Sequence, residues 1–282
     1  MALAQRYPGN ALLQLRGQPG SHDLQLARQT FAGLMTGQPT AIPAYDKSLH
    51  SGLGDRRPRS EWTVVEDSLD ILLFEGWSLG FKALSMDRLR SIYSQSPLLQ
   101  RHSLDHLVTI NQFLSQYEDD VYPAIDIFLH LTPTDLDYVY QWRLQQEHHM
   151  KATRDVSGLS DEAVRAFVDT YMPAYVMYLG HLEKYGFFGA PDSALLRSYE
   201  GWQRHDGHYD NNQFARHLRF RLDKHRQVVA TTPIFPTKRS SSVPDSRAPA
   251  YPWLRPSLLA VTTCAIGLIS WSLYHHQRRQ VQ

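Results

Sequence analysis

The sequence predicts an α/β fold built on a mostly parallel sheet, and three observations carry that expectation. Residues 69–74 (LDILLF) and 125–131 (IDIFLHL) are short, nearly continuous apolar runs, the pattern of strands covered on both faces. Segments with helical period and good capping residues lie before the first run and after the second. Strands separated by helices in this way call for crossover connections and a parallel sheet.

Taken in order, Ser21 or Asp23 caps a helix that runs to about Met35, with Leu24, Ala27, Phe31 and Leu34 on one face. The first apolar run follows and is closed by Glu75-Gly76. After the second run, Thr134 or Asp135 caps a helix through Met150, with Leu136, Val139, Tyr140 and Leu144 spaced for a buried face. Ser160-Asp161-Glu162 opens another helix, through Phe167 and Tyr171, until Pro173 interrupts it. Leu218, Phe220 and Leu222 alternate with Arg219, Arg221 and Asp223, as in a half-exposed strand.

Composition narrows the function. The 282 residues are 42% hydrophobic and 20% charged, which is globular composition, and a net charge of +1 gives no electrostatic basis for nucleic-acid binding. One cysteine, Cys264, excludes an intramolecular disulfide framework and a Cys-rich zinc module, and fits a reducing compartment. No basic segment followed by an apolar stretch opens the sequence, so a cleaved secretory signal is not expected and a cytoplasmic location is.

The charge is uneven: six basic residues and one acid lie between Thr232 and Gln282, leaving residues 1–231 at −4. Residues 232–253 are rich in Pro and Ser without an amphipathic period and read as a linker. Residues 254–282 contain a run of seventeen uncharged residues, 258–274, that as a helix spans roughly 26 Å. Trp253, Trp271 and Tyr274 sit near its ends, and Arg255 and the 275–279 segment flank it. It reads either as a transmembrane tail anchor on an intracellular membrane, or as an apolar tail that docks on protein, or as a misassigned terminal exon.

Three polar clusters are candidates for chemistry. Residues 42–57 (IPAYDKSLHSGLGDRR) gather Asp46, Lys47, Ser48, His50, Asp55, Arg56 and Arg57 around Gly52 and Gly54. Glycines admit close backbone approach and arginines supply forked donors, so this loop suits an anionic substrate; a loop of solvated charges explains the same residues. It is not a dinucleotide fingerprint, because Arg57 stands where the third glycine is needed. Glu75 ends a buried strand, where open α/β sheets bind ligands, and is placed to orient a substrate or water-ligated Mg²⁺; it equally suits a plain turn. In YQWRLQQEHH, Arg143 and Glu147 share a helix face, as a lid arginine for a transferred phosphate or as a surface ion pair. His148-His149 lacks metal spacing on a helix, and no metal site is expected.

Together, RGQPGSHD (16–23), IPAYDKSLHSGLGDR (42–56), ILLFEGWSLGF (71–81), INQFLSQY (110–117), VYQWRLQQEHHM (139–150) and SGLSDEAVRAFVDTYMPAY (157–175) resemble the D-glycerate 3-kinase and fungal ATP-dependent kinase family. LRFRLDKHRQVV (218–229) resembles the closing strand of that fold. The similarity covers nearly all of residues 3–230, in the family's order and spacing, and places the chain in the uridine kinase and phosphoribulokinase branch of P-loop kinases. It implies a three-layer P-loop kinase-like fold, ATP and Mg²⁺ as cosubstrate and cofactor, and phosphoryl transfer to a small hydroxy acid, D-glycerate first. By matching motifs, Asp46, Glu75 and Arg143 take catalytic roles, and His22, Asp23, Lys47 and Arg56 border the acceptor.

The resemblance also implies an N-terminal strand, a G-x-x-x-x-G-K-[ST] loop and an aspartate-bearing segment, and no such loop occurs in the sequence. The expectation is an N-terminally truncated kinase domain, poorly active as written, with a kinase-like binding or regulatory protein and a kinase for another acceptor as the alternatives. The implied strand is central, between 69–74 and 125–131. Without it those two must pair directly or leave backbone groups open.

Overall fold

In the computed structural model, which describes residues 2–46, 49–50, 54–153, 158–189, 216–234 and 257–263, one five-stranded sheet organises the chain. The first part comprises helices α1 (Ala2–Arg6) and α2 (Leu24–Met35) and the short strands β1 (Thr40–Ile42), β2 (Tyr45–Asp46), β3 (Asp55–Arg56) and β4 (Thr63–Val65). Strand β5 (Ile71–Gly76), helices α3 (Met86–Gln95) and α4 (Leu104–Asp120) and strand β6 (Ile127–Pro133) follow. Helices α5 (Asp137–Thr153), α6 (Asp161–Asp169) and α7 (Met172–Ala174) lead through a π-helical turn, Tyr175–Leu179, into α8 (Gly180–Tyr185). Strands β7 (His217–Leu222), β8 (Val228–Ile234) and β9 (Ser257–Thr263) complete the described chain.

The sheet order is β5-β9-β6-β7-β8, parallel throughout except for β8, which pairs antiparallel with β7 at the edge. Pro233 is tolerated in β8 because an edge strand can spare an N–H. Both apolar runs become strands two residues later than expected, so Glu75 and Gly76 lie inside the end of β5 rather than beyond it. Asp23 is the N-cap of α2, its Oδ1 accepting from Leu26 N at 3.0 Å. Ser160 caps α6 in the same way.

The core lies between the sheet and α4. Leu107, Ile110, Leu114 and Tyr117 recur at helical spacing, and all four are buried against Phe128 of β6 and the rings of Tyr122, Tyr175 and Tyr178. Leu72 and Phe74 of β5 pack on this core. Ile71 and Leu73, on the opposite face, are 66% and 50% exposed.

Two expectations about the chain's end change. Strand β8 runs three residues into the segment read as a linker, ending at Ile234. The uncharged run read as a membrane anchor supplies a strand: residues 257–263 are extended and lie between β5 and β6. Leu73 pairs with Leu259 and Glu75 with Val261 on one side, while Phe128 pairs with Ala260 and Leu129 with Val261 on the other. The two strands therefore neither pair directly nor leave their facing edges open. A seventeen-residue apolar run satisfies a buried parallel strand as well as a helix, and two unfilled rows of N–H and C=O groups favour the strand. Among the described residues no helix is long and apolar enough to cross a membrane. Residues 264–274 of the run lie outside the described residues.

Candidate functional site

The loop at 16–23 has an irregular backbone that must be held from outside. Gly17 and Gly20 adopt φ of +110° and +96°, a region L side chains rarely enter. Within the loop, Ser21 Oγ accepts from Gly17 N at 2.9 Å and donates to Gln18 O at 2.7 Å. Trp77, one residue beyond β5, donates its Nε1–H to Gly17 O at 2.8 Å. Tyr171 donates its hydroxyl to Arg16 O at 2.6 Å, and the buried Gln18 donates to Thr170 O at 2.5 Å. A β-carbon on Gly17 would sit 2.5 Å from Tyr171 Oη, so the glycine lets loop and ring meet.

At its far end the loop presents His22 and Asp23. His22 Nδ1 forms a hydrogen bond with the hydroxyl of Tyr117 on α4. Dense packing around the imidazole lowers its pKa, which keeps the ring neutral at pH 7, although the residue remains accessible. Burial raises the Tyr117 phenol, so that hydroxyl stays protonated. Asp23 receives the Leu26 N–H and, on its other oxygen, Arg56 Nη2 at 3.0 Å. The Leu26 backbone donor is the main cause that lowers the Asp23 pKa; burial opposes it, and the Arg56 hydrogen bond and charge lower it further.

Arg56 comes from the hairpin of β2 and β3, where Tyr45 pairs with Arg56 and Asp46 with Asp55. Asp46 is held separately, accepting from Arg57 Nη2 at 2.7 Å, and His50 Nε2 lies 3.2 Å from Asp55. A guanidinium has five N–H donors, and Arg56 uses Nη2 on Asp23 while remaining 42% exposed. It can therefore also grip a small carboxylate.

The wall behind the loop is aromatic. Trp77 and Tyr171 meet edge-on at 4.5 Å between centroids, Phe167 lies 5.0 Å from Tyr171, and the Arg143 guanidinium lies 5.7 Å from the Phe167 ring centre. Burial pushes the Tyr171 hydroxyl up to about 12. Arg143 Nη1 donates to Glu147 Oε2 at 2.7 Å, and Glu147 Oε1 accepts from Leu159 N at 2.7 Å. Glu147 is 2% exposed, so the pair read as a surface contact is anchored in the interior.

Of the expected site residues, His22, Asp23 and Arg56 are joined directly. Arg143 is connected through Phe167 and Tyr171, Glu75 stands two residues before Trp77 at the end of β5, and Asp46 belongs to the hairpin. Lys47 lies outside the described residues. The residues that hold the loop, Trp77, Tyr117 and Tyr171, were given no role from sequence, although each lies in one of the blocks singled out there. Aromatic donors recurring in separate blocks were the available signal.

Comparison with known proteins resolves the family. No family model matches the chain. It is 40% identical over 198 residues to the chloroplastic D-glycerate 3-kinase of Arabidopsis thaliana, covering 68% of this chain and 41% of that protein. It is 35% identical over 193 residues to the probable ATP-dependent kinase TDA10 of Saccharomyces cerevisiae, covering 64% of this chain and 61% of that protein. The solved structure of D-glycerate 3-kinase from Cryptococcus neoformans superposes with a TM-score of 0.69 at 36% identity, over 83% of this chain and 74% of that one. The chain belongs to the D-glycerate 3-kinase family. Its fold is accordingly the P-loop kinase-like α/β fold. It spans about two-fifths of the length of the plant relative and about three-fifths of the yeast one.

The 16–23 loop is thus a junction for the family-like blocks: the 42–56 block reaches it through Arg56, 71–81 through Trp77, 110–117 through Tyr117 and 157–175 through Tyr171. The 139–150 block adds Arg143 to the wall. No group of three or more His, Cys, Asp or Glu side chains among the described residues could hold a metal ion. These described residues do not by themselves form a Mg²⁺ site.

Proposed function

We propose that this protein is an ATP-dependent small-molecule kinase whose acceptor is D-glycerate or a closely similar hydroxy acid. The observation that carries this reading is the convergence of separate sequence blocks on one loop, together with an arginine whose charge is only partly engaged. An acceptor carboxylate pairs with Arg56, held in orientation by Asp23. The His22–Tyr117 pair offers a neutral, polar surface to the acceptor's hydroxyls, and Glu75, at the carboxyl end of β5, aligns the hydroxyl that is phosphorylated. Asp46, opposite Asp55 in the hairpin, borders the acceptor on the side of Arg56. Arg143, already neutralised by a buried carboxylate, braces the Phe167–Tyr171 wall rather than contacting phosphate directly. Phosphoryl transfer asks little covalent chemistry of the protein, so positioning and charge neutralisation supply most of the rate.

The test is release of ADP from Mg-ATP in the presence of D-glycerate. The reading predicts turnover that depends on D-glycerate, and a fall of roughly 10²- to 10⁴-fold in Glu75→Gln. A second reading is a kinase-like protein that binds the acceptor without transferring phosphate to it. Saturable D-glycerate binding without ADP release would select it. ADP release with a sugar or nucleoside but not with D-glycerate would instead transfer the activity to another acceptor.

A further inference from the structure

A cavity of about 280 Å³ opens between α3 and the helical segment formed by the π-turn and α8. It lies away from the 16–23 loop. Helix α8 runs into Phe187, whose N–H donates to Nδ1 of His217, the first residue of β7. Phe187 also stacks at 4.4 Å on Phe128, the second residue of β6. This end of α8 therefore marks the amino edge of the parallel strands, whereas Glu75 and Trp77 mark the carboxyl edge.

The cavity has two chemistries. Leu84, Ile92 and Met177 give it an apolar floor. Arg88 and Lys184, both exposed, also line it, and no carboxylate does so among the described residues. Neither cation forms an ion pair among the described residues.

Gly180, also on the lining, is the more telling residue. Its φ and ψ of −61° and −32° are helical and suit any L residue. A β-carbon built there meets no atom within 4 Å. Neither backbone geometry nor packing asks for glycine, and glycine inside a helix is unfavourable relative to alanine. The preceding π-turn widens the helix beside it, a distortion that recurs at binding sites. The missing side chain keeps the space open.

We infer that this cavity is a second binding site, separate from the proposed kinase site, for a small anion carried on an apolar body, such as an aromatic phosphate or carboxylate. The apolar part occupies the floor beside Met177, and the anion meets Arg88 and Lys184. At about 280 Å³ the cavity accommodates a single ring or a short branched chain.

Phenyl phosphate, inorganic phosphate and benzyl alcohol are the probes, read by the NMR signal of the ¹³C-labelled Met177 methyl in the full chain. Phenyl phosphate is expected to shift that signal saturably, and each half-probe to bind at least tenfold more weakly. Gly180→Leu should remove the shift while leaving the melting temperature unchanged or raised, and Arg88→Gln should weaken binding at least fivefold. The inference is overturned by an unresponsive Met177 signal, by a shift that survives Gly180→Leu, or by inorganic phosphate binding as tightly as phenyl phosphate. A clear fall in melting temperature for Gly180→Leu would also overturn it, because the space would then serve packing.

Discussion

Two buried histidines set the acid limit of this protein. His130 of β6 and His217 of β7 lie 5.7 Å apart between ring centres, and both are almost fully buried. Burial is the main cause that lowers both pKa values; the neighbouring His217 and Arg219 add to the effect on His130, and Arg219 to that on His217, which falls to about 3. His217 Nδ1 accepts from Phe187 N, which requires the neutral ring. As pH falls below 6.5 the unfolded chain binds protons that the folded chain refuses, so stability is lost from about pH 7 downward. Each histidine should cost about 1.4 kcal/mol between pH 7.5 and 5.5. Denaturant unfolding across that range checks this, and His217→Asn, whose amide oxygen can still accept from Phe187 N, should remove about half of the slope. An unchanged slope in the variant would refute the assignment. Residue-level chemistry was only partly legible in the sequence. Asp23 and Arg56 stood out as charges in glycine-containing loops, whereas Trp77, Tyr117 and Tyr171 reach loop atoms 60, 95 and 155 residues away, and no local pattern encodes such distances.

The 16–23 loop and β9 are the two segments on which the fold turns. Gly17→Ala forces a β-carbon into positive φ and against Tyr171, and should cost about 1–3 kcal/mol, read as a shift in the denaturation midpoint. A change below about 0.5 kcal/mol would show that the loop is not clamped as described. Strand β9 is pinned on both sides, so Val261→Pro removes a ladder N–H from an interior strand and should destabilise by at least about 1–3 kcal/mol. An equally stable variant would mean that residues 257–263 do not complete the sheet. Periodicity located α2, α5 and α6 because each has a covered face with a regular repeat, whereas β5 and β6 stood out as short apolar runs. It failed for β9 because an uncharged run carries no period, and helix and strand readings then differ only in what neighbouring strands leave unfilled. Helices α3 and α4 are signalled in the sequence by their caps, Ser85 and Ser103, and the family-like block INQFLSQY is the middle of α4.

The whole molecule joins a kinase-like α/β domain to strand β9, set between β5 and β6, with the 16–23 loop fastened at the carboxyl side of β5. The order of the blocks made the family legible in the sequence, but not how they meet, since that depends on the sheet bringing the segments before and after it together. The central claim is that this junction binds a small hydroxy carboxylate through Arg56. The Arg56–Asp23 pair is too exposed to contribute much to stability, so Arg56→Ala should fold normally. The direct measurement is calorimetric titration of D-glycerate into the protein and into Arg56→Ala. The account predicts saturable binding to the first and affinity weaker by about tenfold to about 150-fold in the second, the loss expected for a charged hydrogen bond. Equal affinity in both, or no binding by a folded wild-type protein, would contradict it.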